Sequence, residues 1–292
     1  MKKEIRIISK EKGIIQITSL DERFYAKPSE DEITGLPIYK YYPSSTWISG
    51  YYPKGIAFYK WLADKGWDEA ESLKISAGER GSKVHQACEI LESGEEMKMD
   101  VKLKNTTTQE PEEVNVDEWQ AIVSYQKWFN ETKPEVSAVE LTVFNEKHEY
   151  AGTIDRIYRI NGQIWVVDLK TSKAIWEEQV LQLSSYSNAD VDYEALKITD
   201  EEWKNRKNAI LQIGYRLNKN GYKFTEQENK FDLFLTARKI WANENPDSKP
   251  KQIELPLVIK LDKVVKTEKM EEFGLEIEKV AKPKSKIKNQ DA

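Results

Sequence analysis

Asp155, Asp168 and Lys170 are the residues whose types and spacing carry the most chemistry in this chain. Period-2 runs at 139–145, 152–160 and 164–169 predict strands; Asp155 lies in the second, Asp168 in the third, and Lys170 directly follows the third. Asn161-Gly162 separates the second run from the third. That dipeptide is a strong hairpin signal, because a type I′ turn needs φ > 0 at both central residues. A two-residue turn fixes the register: Ile160 faces Gln163, Asp155 faces Asp168 and Thr153 faces Lys170. Opposed residues have Cβ atoms roughly 4.5–5.5 Å apart, and like charges there repel. Two opposed aspartates therefore call for a cation. Alternation puts Lys170 on their face, one step on. Two carboxylates and an ammonium suit a hydrated divalent ion and an anionic substrate, and magnesium favours few carboxylates, several waters and phosphate oxygens. The competing reading is a solvent-facing strand with a chance cluster of charge. Trp165-Val166-Val167, apolar on both faces, speaks for a central strand instead.

The elements that must hold these residues fit a sizeable core. The chain has 292 residues, 33% of them charged, and a formal net charge of −5. That charge neither predicts nor excludes a nucleic-acid partner, since a local basic groove suffices. Cys88 is the one cysteine, so no disulfide framework and no Cys₄ iron–sulfur site can form within one chain. No apolar run approaches about 20 residues. The start, MKKEIRIISKEKGIIQI, alternates and lacks the apolar core of a signal peptide. The expectation is an intracellular, cytoplasmic protein with no membrane partner.

In chain order, residues 4–9 and 14–18 predict a hairpin, and 27–40, with prolines and acids, a loop. Residues 41–67 are dense in aromatics interleaved with Lys54, Lys60 and Lys65. These suit a packed helical layer or a base-stacking surface. Residues 68–93 predict two helices, with Ser82 capping the second and Val84, Ala87, Cys88 and Leu91 as its apolar stripe. His85 lies at the edge of that stripe, as a boundary residue or a ligand. A polar loop follows over 94–117. Then comes an amphipathic helix over 117–130, with Trp119, Ile122, Val123 and Phe129 on one side, ended by Pro134.

Residues 174–187 predict a further helix, on which Gln182 and Tyr186 share a face. They could donate to phosphate or simply bond each other. Thr199 with Glu202 fits a capping box. Asn220-Gly221 signals a second hairpin, between 209–217 and 222–226. Arg216, Lys219 and Lys223 near its tip suit a DNA-contacting loop or a solvated hairpin. A last helix spans 229–243, an edge strand 252–260, and a basic disordered tail closes the chain.

Gly81-Ser82-Lys83-Val84-His85, Glu140, Gly152-Thr153-Ile154-Asp155, Asp168-Leu169-Lys170-Thr171 and Gln182-x-x-x-Tyr186 follow one another in order. Over roughly residues 40–245 this series resembles the motif set of RecB-like and phage-type exonucleases of the PD-(D/E)XK nuclease superfamily. Any one motif is weak, and the ordered set is the signal. The resemblance implies an α/β (α+β), restriction-endonuclease-like core: a central mixed sheet flanked by helices. It would occupy 68–260, with an N-terminal hairpin and aromatic-rich helical region at 1–67 and a charged tail at 261–292. It implies metal ligation by His85, Asp155, Asp168 and the Leu169 carbonyl, and catalysis through Lys170, Asp168, Asp155 and Glu140. Gln182 and Tyr186 would lie beside the substrate. Some relatives carry four cysteines for an iron–sulfur cluster, which this chain lacks.

The expectation is a Mg²⁺- or Mn²⁺-dependent DNA exonuclease of phage or recombination type, without an iron–sulfur cluster. A phosphodiester repels nucleophiles, and a cation polarises the phosphoryl oxygen and generates hydroxide. The setting implied is a phage-encoded protein in a bacterial host, alongside a single-strand annealing or recombination protein. Two alternatives stay open: an endonuclease of the same fold, or a catalytically inactive DNA-binding or assembly protein. There is no phosphate-loop motif, so no motor is expected.

Overall fold

The computed structural model describes residues 4–19, 22–30, 35 and 37–251. The chain opens with β1 (Glu4–Ser9), β2 (Ile14–Ser19), β3 (Glu22–Glu30) and β4 (Pro37–Pro43), an antiparallel sheet in that order. Then come α1 (Ser45–Ser49), α2 (Ile56–Lys65), α3 (Trp67–Glu92), the short strands β5 (Lys102–Lys104) and β6 (Pro111–Glu113), and α4 (Val116–Thr132). The central part holds β7 (Glu135–Asn145), β8 (Tyr150–Ile160) and β9 (Gln163–Lys170), followed by α5 (Glu177–Ser187) and α6 (Asp200–Lys204). Last are β10 (Lys207–Ile213), β11 (Tyr222–Gln227) and α7 (Phe231–Glu244).

A mixed five-stranded sheet, ordered β11-β10-β9-β8-β7, forms the centre, with β9 and β10 parallel and the other neighbours antiparallel. Helices cover both faces. Val167, Leu169, Ala209 and Leu211 pack against Val84, Ala87 and Cys88 of α3 and Ile122, Tyr125 and Trp128 of α4. Ile164, Val166 and Ile210 pack against Val180, Leu183 and Tyr186 of α5. Alternation thus buries β9 on both faces, as its apolar run requires. Each such fully buried side chain contributes about 1.5–3 kcal/mol. The N-terminal sheet joins through Tyr25 and Tyr42, packed with Ala151 of β8. The described residues up to Pro250 form one compact unit.

The Asn161-Gly162 turn has φ of 50° and 79°, and the β8–β9 ladder runs from Ile160↔Gln163 to Arg156↔Val167. Thr199 caps α6 reciprocally with Glu202. Several local expectations are corrected. Residues 27–40 are not a loop throughout: β3 runs to Glu30 and β4 starts at Pro37. The β2–β3 ladder ends at Ile15↔Ala26, so Pro28 lies where β3 pairs β4 alone and its missing N–H costs little. One helix, α3, replaces the two expected over 68–93, and Ser82 lies inside it rather than at a cap. The loop expected at 94–117 contains the β5–β6 pair.

In α4 the buried stripe includes Ala121, Ile122, Tyr125 and Trp128, while Val123 is exposed. The helix expected from 174 starts at Glu177. β10 and β11 form the expected second hairpin, but its first strand ends at Ile213 rather than 217, so the connection is 214–221. The aromatic segment is not one layer. Tyr42 is buried in a strand, whereas α2 has no buried residue and Trp67 is exposed. The edge strand at 252–260 and the tail at 261–292 lie outside the described residues. No helix among the described residues is long and apolar enough to cross a membrane.

Candidate metal centre

The site forms where the sheet loses its regularity. Continuing the β8–β9 ladder by one step would set Asp155 against Asp168, but the pairing stops at Arg156↔Val167. Asp155 Oδ2 instead accepts the Leu169 backbone N–H at 2.8 Å. On the other side of β8, Val139↔Arg156 and Leu141↔Ile154 pair, skipping Glu140 and Asp155. Glu140 has φ of 46°. Alternation slips at the same place. Ile154 and Ile157 both join the core against α5, while Asp155 and Arg156, adjacent in sequence, both reach α3 at His85 and Glu92. Each strand skips one residue, so the register is kept across the break while the side chains are re-aimed; the register shift of this ladder lies between Val136 and Ala138. A non-glycine residue held at positive φ costs of order 1–3 kcal/mol, and such strain concentrates at functional sites.

Buried polar contacts hold the distortion. Arg156 is fully buried; its Nη1 donates to the Asp155 carbonyl at 2.7 Å and to Glu140 Oε1 at 3.4 Å. Its Nε lies 2.6 Å from Glu92 Oε2. Glu92 Oε1 accepts from the Tyr125 and Tyr158 hydroxyls, each at 2.6 Å. The sequence reading missed both Arg156 and Glu92. A usable signal was present: His85, Glu89 and Glu92 recur at i, i+4 and i+7, one polar face on an otherwise core-facing helix.

His85, on α3, completes the cluster. Its Nδ1 lies 3.7 Å from Glu140 Oε1 and 3.9 Å from Asp155 Oδ2, and its Nε2 lies 3.1 Å from the Leu169 carbonyl. Candidate ligand atoms of His85, Glu140 and Asp155 all fall within 4.8 Å of one another. With Nε2–H donating to Leu169, Nδ1 is the free nitrogen facing the carboxylates. A metal-binding histidine commonly has its other ring nitrogen oriented in this way by a carbonyl. Burial pushes the His85 imidazolium down, but Asp155 and Glu140 outweigh it and hold its pKa above the usual value. The cluster thus draws positive charge, and it could hold a cation. The Leu169 carbonyl, expected as a ligand, here orients His85.

Asp168 stands apart from this triad. It is buried, and its Oδ2 lies 2.6 Å from Lys170 Nζ. Burial raises the Asp168 pKa against the pull of Lys170, and Asp155 adds to the rise. Burial acts to lower that of Lys170, yet Asp168 and Asp155 hold it above the usual lysine value. On the neighbouring strand Gln212, paired with Lys170, donates to the Ser172 and Lys173 carbonyls and pins the chain leaving β9.

Gln182 and Tyr186 are committed to local bonds. Gln182 Nε2 donates to the Tyr186 hydroxyl at 2.6 Å and to Thr46 Oγ1 at 2.7 Å. Tyr186 is buried against Gly152, where an added Cβ would meet its Cε1 at 2.3 Å. Gly152→Ala should therefore push the ring aside and cost about 1–3 kcal/mol. A thermal melt checks this, and an unchanged Tm would show that the ring gives way freely. Arg216 pairs with Asp117, and Lys219 is exposed, both in the 214–221 connection. Neither lines the clefts beside the His85–Glu140–Asp155 cluster. Those clefts adjoin, with volumes of about 1050 and about 630 Å³, and Glu140 lines both.

Comparison of the chain with protein-family models and with curated proteins finds no match.

Proposed function

We propose that the chain is a divalent-metal-dependent DNA nuclease with a restriction-endonuclease-like core, working from DNA ends as an exonuclease. The observation that carries this is the His85–Glu140–Asp155 cluster set beside the Lys170–Asp168 pair at a strained point of a central sheet. The ordered motifs of the sequence add the nuclease class and the preference for ends. The donors fit the cofactor. One imidazole and two carboxylates suit Mn²⁺, and Mg²⁺ with more retained water; they are not the two-histidine, one-carboxylate set typical of non-haem iron.

A divalent cation bound there supplies Lewis-acid polarisation of a phosphoryl oxygen and a more acidic water. The chain's own residues do the rest. Asp168 holds the Lys170 ammonium close to the cluster, where it can stabilise charge developing on the phosphoryl group. Arg156 holds Glu140 and the backbone of Asp155. In the reaction the water oxygen bonds phosphorus and its proton passes to solvent, while the bond from phosphorus to one sugar oxygen breaks and that oxygen takes up a proton from solvent to leave as a hydroxyl.

End-labelled linear DNA should be degraded with Mn²⁺ or Mg²⁺ and left intact with chelator. Covalently closed circles should survive, and their cleavage would make the enzyme an endonuclease. No cutting of either form with any divalent metal would sink the nuclease reading.

Metal should also stabilise the fold by mass action, about 2.7 kcal/mol at a hundredfold excess over Kd. That is a Tm rise of roughly 5–10 °C for a unit of this size. Asp155→Asn should remove most of the rise, and an equal response in both proteins would exclude Asp155 as a ligand. His85→Ala should lose activity and Mn²⁺ response while still folding. An active but destabilised variant would make His85 a packing residue.

A further inference from the structure

Several cations elsewhere in this structure have carboxylate partners, while Arg206, Lys223 and Arg238 lie over aromatic rings. Lys27 and Lys40 pair with Glu146, Lys54 with Glu178, Lys83 with Glu118, Arg159 with Glu202 and Lys230 with Glu177. Arg6, Arg23, Arg80 and Lys104 make no ion pair among the described residues, and all four line the cleft beside His85, Glu140 and Lys170. The Arg80 Nε is buried without a hydrogen-bond partner. Like charges left unpaired and gathered at one place are the electrostatic footprint of a polyanion site.

The fold explains their convergence. In the N-terminal sheet Arg6 pairs with Gln16, and Gln16 with Tyr25; Thr18 pairs with Arg23. Residues paired across strands share a face. Tyr25, on the face of Arg6 and Gln16, bonds Thr153 Oγ1 through its hydroxyl at 3.0 Å, two residues before Asp155. The sheet face is thereby tied to the strand that carries the metal cluster. Arg80 stands opposite on α3, the helix of His85, and Lys104 on β5. Carboxylates in the same cleft include Glu4, which shares a cross-strand row with Thr18 and Arg23 on the sheet wall, and Glu89 and Glu140 on the side of His85, so the sheet wall sets two arginines against one glutamate.

Size then limits the occupant. The cleft holds about 1050 Å³, a space that a short single strand can fill, whereas a B-form duplex, whose major groove alone is about 12 Å wide, would lie across its mouth.

We infer that this cleft is a guide for a single DNA strand: Arg6 and Arg23 on the sheet wall and Arg80 and Lys104 opposite hold successive phosphates and feed the strand to the metal cluster. The inference rests on the DNA reading of the site and adds the strand state and the residues that grip it. Arg6 and Arg23 are exposed, outside the metal cluster, and distinct from the sequence-expected contacts Arg216 and Lys219.

The test measures binding of a fluorescent single-stranded oligodeoxynucleotide and of a blunt duplex of equal length, in chelator, over a salt series. Wild type should prefer the single strand. Arg6→Ala/Arg23→Ala should bind it about tenfold or more weakly and lower the slope of log K against log salt by about 1.4, the loss for two single-strand phosphate contacts. Arg6→Lys/Arg23→Lys should keep most of the affinity and the slope, which separates lost charge from lost fold. Saturating DNA should restore cleavage by the alanine variant. Unchanged affinity in that variant, or equal binding of duplex and single strand, would overturn the guide while leaving the nuclease reading intact. The expected binding pattern with no cleavage in any metal would keep the guide and remove the nuclease.

Discussion

Replacing Lys170 by alanine should lower the single-turnover cleavage rate by about 10²–10³-fold while leaving DNA affinity close to wild type. The ammonium lies 2.6 Å from Asp168 Oδ2 and within the field of Asp155 and Glu140, where the low local dielectric strengthens its own field. On the nuclease reading its use is in stabilising charge that grows as the phosphoryl group is attacked, and an interaction gained only then changes rate rather than binding. Removing it also leaves Asp168 buried without its cation, so the carboxyl should take up a proton. Lys170→Ala/Asp168→Asn then separates the two effects. If the loss of rate comes from an unpaired Asp168, the double variant should recover part of it; if Lys170 acts on the phosphoryl group, it should not. A fall in affinity matching the fall in rate would reassign Lys170 to ground-state binding.

The turn and the strand order around it were legible in the sequence because local chemistry dictates them. Asn161-Gly162 adopts positive φ at both residues, and the register follows for as long as the strands stay regular. Thr199 and Glu202 cap α6 because their side chains satisfy orphan N–H groups whatever the tertiary context. The detail of the site was not legible. Alternation assigns Asp155 to the face of Asp168, and that assignment fails at the residue where β8 slips. The slip depends on Arg156 being drawn to Glu92, a residue remote in sequence, and on Glu140 tolerating φ of 46°. Neither leaves a periodic trace. Asp155, His85 and Glu140 converge all the same, by a route that hairpin geometry alone does not supply.

The N-terminal sheet was under-read for a different reason. Pro28, Pro37 and Pro43 look like breaks in a strand pattern. They are tolerated because Pro37 and Pro43 bound the edge strand β4, and Pro28 lies beyond the reach of β2. Treating 27–40 as loop hid the pairing of β3 with β4, and with it the four-stranded sheet to which Arg6 and Arg23 belong. The Gln182–Tyr186 spacing correctly placed two side chains on one face of α5, but spacing cannot tell a contact waiting for a ligand from a bond already made. Thr46, which receives Gln182, comes from α1, distant in sequence.

Arg156→Met should be the most destabilising of the changes considered, and it should damage the metal site as well. The guanidinium is fully buried, 2.6 Å from a Glu92 carboxylate that is itself nearly inaccessible. Breaking a buried pair by removing one partner typically costs 3–5 kcal/mol, because the other charge stays behind in a poor solvent. For a unit of this size that is a Tm drop of roughly 6–20 °C. The Tyr125 and Tyr158 hydroxyls would still donate to Glu92, but they carry no charge to offset it. Glu92→Gln/Arg156→Met should regain part of the stability, since no unpaired charge is left. It should not regain activity, because the donor to Glu140 and to the Asp155 carbonyl is still missing and both ligands lose their support. The Mn²⁺-induced rise in Tm is the reading that separates these effects. It should stay small in the double variant even though the fold is stronger than in Arg156→Met. Full recovery of the metal response would mean that Arg156 serves stability alone and that β8 keeps its slip without it.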